Sequence, residues 1–210
     1  MIKIIIADDH VIVRQGLRQI LAGMTDMELV AEAKDAPELL ELLRWQHCHV
    51  VVLDVSMPGR NGLEALTEIK NGYPHVAVLI LTMHTQDQYA VRALKAGAAG
   101  YLTKDSVPTE LITAIRRIAA GGKYITAALA ETLADYLGSK TDKAPHERLS
   151  DREYEVLCKI GAGKTASEIA EELFLSPNTI GTYRSRLLEK LHLRNNAELI
   201  HYAITNRLID

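Results

Sequence analysis

Two short apolar runs that each end in aspartate constrain the fold of this chain more than any other feature. Lys3–Ala7 leads directly into Asp8 and Asp9, and Val50–Leu53 leads into Asp54. Runs rich in isoleucine and valine, without polar alternation, are typical of strands buried on both faces, as in a parallel sheet. Because ligand sites in open parallel sheets lie beyond the carboxyl ends of the strands, we expect the three carboxylates to meet there. Such an acidic cluster calls for a hard divalent cation, which in turn attracts an anion such as phosphate.

Strand-like and helix-like stretches alternate through the first half of the chain. They predict an α/β fold, a doubly wound five-stranded parallel sheet with helices on both faces. The predicted strands are Lys3–Ala7, Leu29–Ala33, Val50–Asp54, Val76–Thr82 and Gly100–Leu102. The predicted helices are Val11–Ala22, Pro37–Trp45, Gly62–Asn71, Gln86–Ala96 and Pro108–Ala120.

The last third of the chain has no strand pattern and predicts a second, all-α domain. Ser150 followed three residues later by Glu153 forms a capping box, which marks a helix start. Two further helices, Thr165–Leu173 and Pro177–Leu191, are joined by a short turn, as in a helix-turn-helix. On a wheel of 100° per residue, the apolar face of the second helix turns inward and its opposite face carries short or polar residues.

Length and charge set further bounds on the protein. With 210 residues, the chain is long enough for two small domains, and its formal net charge of -3 does not by itself indicate a nucleic-acid partner. No apolar stretch approaches the length of a membrane span, and the two well-separated thiols, Cys48 and Cys158, favour a reducing cytoplasm. We place the domains at residues 1–122 and 148–210, joined by a linker at 123–147 that contains a helix near Thr126–Leu137.

Later strand ends supply groups that a phosphoryl site needs. An aspartate can attack a phosphoryl donor as a nucleophile and form an acyl phosphate, provided that a cation and a positive group neutralise the crowded oxygens. Thr82 offers a hydroxyl at the end of one predicted strand, and Lys104 offers an ammonium just after another. Any of these residues alone could be a helix cap, a turn residue or a surface charge. Their joint placement at strand ends favours the phosphoryl site.

Residues 1–120 resemble a receiver domain of the two-component response regulators. The matching segments are Ala7–His10, Leu53–Gly62, Leu81–Thr82 and Ala96–Lys104. The resemblance implies a flavodoxin-like sheet in which Asp54 accepts a phosphoryl group from a histidine kinase. It implies that Asp8, Asp9, Asp54 and the backbone carbonyl of Ser56 hold Mg²⁺. It also implies that Thr82 and Lys104 contact the phosphoryl oxygens, and that Tyr101 swings inward when Thr82 moves.

Two positions depart from the receiver pattern. Asp105 follows Lys104 where many receivers have proline after a cis bond, so the loop must hold Lys104 without proline or adopt a costly non-proline cis bond. Met83 is bulky where small residues are common beside Thr82, and it could restrict water and slow loss of the phosphoryl group.

Residues 148–210 resemble the LuxR-type DNA-binding module. The matching segments are Leu149–Glu153, Glu155–Leu157, Ile169–Ala170, Leu175–Ser176, Thr179–Ile180 and Leu188–Leu191. A receiver followed by this module is the arrangement of the NarL/FixJ class of transcription regulators. The resemblance implies that Pro177–His192 is the recognition helix, that Thr165–Leu173 supports it and that Asn195–Asn206 takes part in dimerisation. It therefore implies a homodimer on double-stranded DNA.

The residues that we predict to contact DNA lie on the polar face of the recognition helix. They are Thr179, Thr182, Ser185, Arg186 and Lys190, of which Arg186 and Lys190 suit phosphates and Thr182 and Ser185 suit base edges.

Three other positions of that helix qualify this prediction. Gly181 stands where many members carry a DNA-facing lysine. A glycine inside a helix costs about 1 kcal/mol of helix stability relative to alanine. Tyr183 stands where histidine is frequent, and we interpret both changes as altered specificity. Arg184 projects toward the apolar side, where it could pair within the domain.

Other functions compete with a phosphorylation-switched regulator. A haloacid-dehalogenase-like phosphatase would use Asp8 as nucleophile but needs a second aspartate two positions later, where this chain has His10. A phosphorylation-independent adaptor would not need the intact acidic site. His47–His49 could suggest a metal site, but contiguous side chains diverge along a strand, and a helix-end role is favoured. We expect no enzymatic activity beyond self-catalysed phosphoryl transfer and loss at Asp54.

Overall fold

The computed structural model describes residues 1–57, 61–83, 87–127, 129–131, 133, 144–206 and 208–209. The chain forms two compact units, Met1–Ala134 and Asp135–Asp210. No helix within the described ranges has the length and apolar character to span a membrane.

The first unit is built on the predicted five-stranded parallel sheet. Its strands are β1 (Ile2–Ala7), β2 (Met27–Ala33), β3 (Val50–Asp54), β4 (Ala77–Thr82) and β5 (Gly100–Thr103), in the order β2-β1-β3-β4-β5. Strand order reverses beside β1, so the edge at the carboxyl ends of β1 and β3 is the ligand-binding edge of a doubly wound sheet. Ala7 is in register with Leu53, which brings the residues that follow each strand side by side.

Helices cover both faces of the sheet, as predicted. They are α1 (Val11–Ala22), α2 (Ala36–Trp45), α3 (Gly62–Gly72), α4 (Asp87–Lys95) and α5 (Val107–Ala119). On one face, Leu17 and Leu21 of α1 and Leu111 and Ile115 of α5 pack with the sheet in a continuous aliphatic core. Burial of these side chains on both faces fixes the strand ends, and with them the positions of the polar residues that follow.

The linker helix predicted at Thr126–Leu137 lies partly outside the described residues. Within the described part, residues 127, 129–131 and 133 are helical. The polar stretch predicted to follow that helix falls mostly outside the described residues.

The second unit is helical throughout its described part. A 3-10 turn at Pro145–Arg148 precedes helices α6 (Asp151–Gly161), α7 (Ala166–Glu172), α8 (Pro177–Lys190) and α9 (Asn196–Thr205). The predicted capping box is confirmed, because the Ser150 side chain accepts from the Glu153 amide and Glu153 accepts from the Ser150 amide. Each later helix also begins at a residue whose side chain caps it: Thr165, Ser176 and Asn195. Local sequence therefore determines where these helices start.

A buried ion pair fastens the helix-turn-helix to α6. Arg152 lies 2.7 Å from Glu155, and both side chains are almost fully buried. The same guanidinium donates to the backbone carbonyl of Leu173, which follows α7, at 3.0 Å. Since a buried charge must be paired, this contact connects the end of α7 to α6.

Candidate functional site

The three strand-end aspartates meet at one edge of the sheet. Asp8 and Asp54 are both 1% exposed, and Asp9 is partly exposed. Burial raises the pKa of Asp54, the Lys104 ammonium opposes that shift, and the neighbouring Asp8 carboxylate adds to it. An acidic cluster with so little access to water is unstable unless a positive charge enters it.

Lys104 supplies that positive charge in the protein itself. Its Nζ lies 2.7 Å from Asp8 Oδ2 and 2.7 Å from Asp54 Oδ2. Burial alone would lower the pKa of Lys104, but the two carboxylates hold it above its usual range. Every peptide bond within the described ranges is trans, so the loop holds Lys104 without proline, as a 3-10 turn. Ser106 closes this turn by donating to the Thr103 carbonyl at 3.0 Å.

The sheet edge at which Asp8, Asp9 and Asp54 meet, here called the acidic edge, has the donor atoms that a hard cation needs. Asp8 Oδ2 and Asp9 Oδ1 are buried oxygens that accept no hydrogen bond of regular geometry from the described residues, although Lys104 Nζ lies 2.7 Å from the first and His10 Nδ1 lies 2.7 Å from the second. Asp8, Asp9, His10 and Asp54 each offer one ligand atom, and all four atoms lie within 4.8 Å of one another. No other group of this kind occurs in the described part of the chain. The fit to a divalent cation therefore rests on unsatisfied carboxylate oxygens.

The backbone after β3 passes very close to α3. The Ser56 amide donates to Asp54 Oδ1 at 3.2 Å, which orients that carboxylate. A Cβ on Gly62 would lie 2.2 Å from the Asp54 carbonyl oxygen, so only glycine fits there. This contact lets α3 begin directly beneath the loop that carries Asp54 and Ser56.

Thr82 and Tyr101 lie on neighbouring strands beside the acidic edge. Thr82 is the last residue of β4 and is fully buried, and Thr103 is its partner in β5. Tyr101 lies two residues before that partner and is 5% exposed, so its side chain is buried. Met83, which the sequence placed against Thr82 as a possible shield, is 64% exposed.

The second candidate surface is the polar face of α8. Ile180, Leu187 and Leu191 are buried, which confirms the predicted inward face. Thr182, Ser185 and Arg186 are exposed on the opposite side, and Thr179 is half-buried beside the helix cap. The Thr182 and Ser185 hydroxyls donate to backbone carbonyls one turn earlier, so each keeps its lone pairs available to an approaching donor.

Two basic residues of α8 are paired within the helical unit. Lys190 Nζ lies 2.7 Å from Glu153 Oε2, and the Glu153 carboxylate is 3% exposed. Arg184 Nε donates to Asn196 Oδ1, which confirms that this residue pairs within its own domain. Sequence reasoning missed the pairing of Lys190, because its partner lies on α6, far away in the chain. Of the two predicted phosphate contacts, only Arg186 has no hydrogen-bond or ion-pair partner among the described residues that would compete with DNA.

The histidines near β3 form a cluster that the sequence did not reveal. The rings of His47 and His49 lie 5.1 Å apart, and His75, from the loop before β4, lies 6.4 Å from His47. Cys48 points into the core, where burial raises the pKa of its thiol to about 11. His49 Nδ1 accepts from the Lys3 amide at 2.9 Å, so its proton lies on Nε2 and neither nitrogen offers a free lone pair to a metal.

Comparison with known proteins identifies relatives along the whole chain. The family model described as the response regulator receiver domain matches residues 4–116. The model described as bacterial regulatory proteins of the luxR family matches residues 147–203. The response regulator UvrY of Escherichia coli K12 is 36% identical over 209 residues, which cover 99% of this chain and 96% of UvrY. The response regulator GacA of Pseudomonas protegens is 35% identical over 210 residues, which cover 100% of this chain and 99% of GacA.

Solved structures show the same arrangement. The RcsB response regulator of Salmonella typhimurium matches with a TM-score of 0.70 and 28% identity, covering 97% of each chain. RcsB of Salmonella enterica serovar Typhimurium bound to promoter rprA, in the presence of the phosphomimetic BeF3-, matches with a TM-score of 0.66 and 29% identity. That match covers 96% of this chain and 98% of the RcsB chain.

Proposed function

Because this chain belongs to the NarL/FixJ class of response regulators, with a receiver domain and a LuxR-type DNA-binding domain, we propose that Asp54 accepts a phosphoryl group from a sensor histidine kinase. In that step the phosphorus–nitrogen bond of the donor phosphohistidine breaks, and a bond forms between phosphorus and an Asp54 oxygen. The observation that carries this proposal is the buried Asp54 carboxylate, held 2.7 Å from Lys104 Nζ and beside the carboxylates of Asp8 and Asp9.

Mg²⁺ is the cation that this donor set fits. Asp8, Asp9, Asp54 and the backbone carbonyl of Ser56 would hold it, since Mg²⁺ prefers a small number of carboxylate and carbonyl oxygens and completes its shell with water and phosphate oxygens. When bound, it neutralises the charge that accumulates on the phosphoryl oxygens. The cation and the phosphoryl group bring new charge into the pocket, so Lys104 can exchange its contact with Asp54 for one with a phosphoryl oxygen.

Phosphorylation would act through packing at the ends of β4 and β5. The Thr82 hydroxyl can donate to a phosphoryl oxygen, and movement of Thr82 changes the space available to the Tyr101 ring beside it. Phosphorylation would therefore bias two packings of the same residues. Moving such an equilibrium from 1:99 to 99:1 needs about 5.5 kcal/mol of differential stabilisation.

The output of the switch is binding to double-stranded DNA. Helix α8 would enter the major groove, with Thr179, Thr182 and Ser185 near base edges and Arg186 on a phosphate. Exposed short side chains on this face allow close approach of the helix backbone to DNA. RcsB, bound to promoter DNA in the presence of BeF3-, supports this assignment by similarity. A homodimer on paired half-sites is expected, with α9 taking part in the contact between copies.

We also propose that the chain turns over no separate substrate. Its chemistry would be self-catalysed phosphoryl transfer to Asp54 and later hydrolysis of the acyl phosphate. The alternative phosphatase chemistry at Asp8 is disfavoured because such an enzyme needs a second aspartate two positions later, where this chain has His10.

A DNA-binding assay with and without a phosphodonor tests the proposal. Wild type and Asp54→Ala are titrated with promoter DNA in Mg²⁺, before and after incubation with acetyl phosphate, and intact mass is recorded for each sample. We expect one added phosphoryl group and tighter DNA binding in wild type, and neither change in the variant. Equal phosphoryl incorporation or equal tightening in Asp54→Ala would overturn the assignment.

A further inference from the structure

His10 lies at the acidic edge although sequence reasoning gave it no role there. It is the residue before α1, and its backbone amide donates to Asp8 Oδ1 at 2.8 Å. This turn directs the imidazole back over the carboxylates. His10 Nδ1 lies 2.7 Å from Asp9 Oδ1 and 3.2 Å from Asp8 Oδ1, while the ring as a whole is 59% exposed.

The His10 ring makes one hydrogen bond at this edge, in which Nδ1 donates to Asp8 Oδ1 at 3.2 Å, whereas its closer approach to Asp9 is not a hydrogen bond. Asp9 Oδ1 has no hydrogen-bond partner among the described residues, although Nδ1 is only 2.7 Å away. Neighbouring ligand atoms on an octahedral cation lie about 3 Å apart, since metal–oxygen bonds there are about 2.1 Å long. The distances from Nδ1 to the two carboxylate oxygens bracket that value. The imidazole and the carboxylates are therefore arranged as donors that converge on one point.

The tautomer that metal binding requires is available to His10. Binding through Nδ1 would end its hydrogen bond to Asp8 Oδ1 and place the ring proton on Nε2, where the exposure of the ring lets solvent accept it. His49, by contrast, is held by the Lys3 amide in a form that cannot act as a ligand. The two histidines thus differ in metal-binding capacity for a reason that is visible in their hydrogen bonds.

We propose that His10 Nδ1 is an additional ligand of the receiver's cation site and shifts its preference from Mg²⁺ toward transition metals such as Co²⁺ or Zn²⁺. Imidazole is a good ligand for these metals, whereas Mg²⁺ prefers oxygen. This inference rests on the cation site proposed above. It predicts that the cation site of this receiver binds a transition metal more tightly than it would without His10.

The competing explanation is that His10 acts as an internal cation beside Asp8 and Asp9. The two explanations predict opposite changes in metal affinity when His10 is removed. Removal of an internal cation would tighten the binding of every divalent metal, because the carboxylates would lose a competing positive charge. Removal of a ligand would weaken the binding of Co²⁺ and leave that of Mg²⁺ nearly unchanged.

Calorimetric titration of the full chain with Mg²⁺ and with Co²⁺ tests the proposal. The variants are His10→Ala, Asp9→Asn to identify binding at this site, and His201→Ala, an exposed histidine of the helical unit, as the matched control. We expect His10→Ala to weaken Co²⁺ binding by at least roughly 10–100-fold, the loss seen when a residue that hydrogen-bonds a metal ligand is removed. Mg²⁺ binding should change by less than about threefold. His201→Ala should match wild type with both metals.

Pulsed electron paramagnetic resonance with Mn²⁺ gives a second readout that does not depend on affinity. A nitrogen ligand produces a ¹⁴N modulation, which we expect in wild type and His201→Ala but not in His10→Ala. Absence of that signal in wild type, or an equal change of Mg²⁺ and Co²⁺ affinity in His10→Ala, would overturn the role of His10. Retention of metal binding in Asp9→Asn would instead contradict the cation site of the proposed function.

Discussion

Replacement of Lys190 by methionine separates a structural role from a DNA-contacting role. Lys190 has the position of a phosphate contact on α8, but its ammonium lies 2.7 Å from the buried Glu153 carboxylate. Methionine keeps most of the aliphatic stem and removes the charge. We expect Lys190→Met to destabilise the helical unit and to leave the salt dependence of DNA binding unchanged.

The size of the expected stability loss follows from the hydrogen bonds that Glu153 keeps and loses in the variant. In the variant, the carboxylate keeps its hydrogen bond from the Ser150 amide and loses the one from Lys190. A hydrogen bond to a charged group contributes about 1.5–3 kcal/mol, and the 45% exposure of the Lys190 side chain places this one toward the lower end. A loss of about 2 kcal/mol would lower the unfolding temperature of a unit of this size by about 8–16 °C.

The effect should depend on pH in a defined direction. Burial alone would raise the pKa of Glu153, but hydrogen bonds from Lys190 and the Ser150 backbone hold it below its ordinary value of 4.5. A carboxyl with a lowered folded-state pKa contributes stability above its unfolded pKa and loses that contribution as pH falls through the folded value. The stability difference between wild type and Lys190→Met should therefore be full at neutral pH and shrink below about pH 4.5.

Scanning calorimetry of the full chain from pH 3.5 to 7.5, together with DNA titrations at several salt concentrations, measures both quantities. Arg186→Met is the matched control, because Arg186 is exposed on the same helix. It should change stability by less than about 0.5 kcal/mol and reduce the slope of log affinity against log salt by about 1. Wild-type stability of Lys190→Met together with a reduced salt slope would refute the structural role of Lys190.

Three further substitutions test other parts of the structure. Gly62→Ala would place a Cβ 2.2 Å from the Asp54 carbonyl oxygen, so we expect slower phosphorylation by acetyl phosphate and a loss of about 1–3 kcal/mol in denaturant unfolding. Gly181→Ala has nothing within 4 Å of the new Cβ and should stabilise the helical unit by about 1 kcal/mol, measured by calorimetry. Arg152→Met would break the buried ion pair with Glu155, and we expect a loss of about 3–5 kcal/mol in the same experiment.

Each of these three predictions has a result that would contradict it. Gly16→Ala, on the exposed face of α1 with open space around it, is the control for Gly62→Ala and should be stabilising. Phosphorylation of Gly62→Ala at the wild-type rate would contradict the close contact at Asp54. Destabilisation by Gly181→Ala would show that the glycine is needed for packing, and wild-type stability of Arg152→Met would show that the buried pair contributes nothing.

The secondary structure of the chain was predictable because its signals are local. The start of β1, β3 and α1 agrees with the expected bounds to within a residue, since each depends on apolar periodicity and a nearby polar stop. The caps of α6 and α8 followed from a serine and its neighbours three residues away. The gathering of Asp8, Asp9 and Asp54 was also predictable, because parallel strands end at one edge of a sheet.

Tertiary structure alone decided which partner each polar side chain has. Lys190 finds Glu153 on another helix, and His75 joins His47 from a different loop, although nothing near these residues in sequence indicates it. His10 approaches the carboxylates only because a backbone hydrogen bond to Asp8 turns its ring toward them. Sequence patterns report burial and local hydrogen bonding, whereas pairing between distant charges depends on distances of a few ångströms that packing of the whole unit sets.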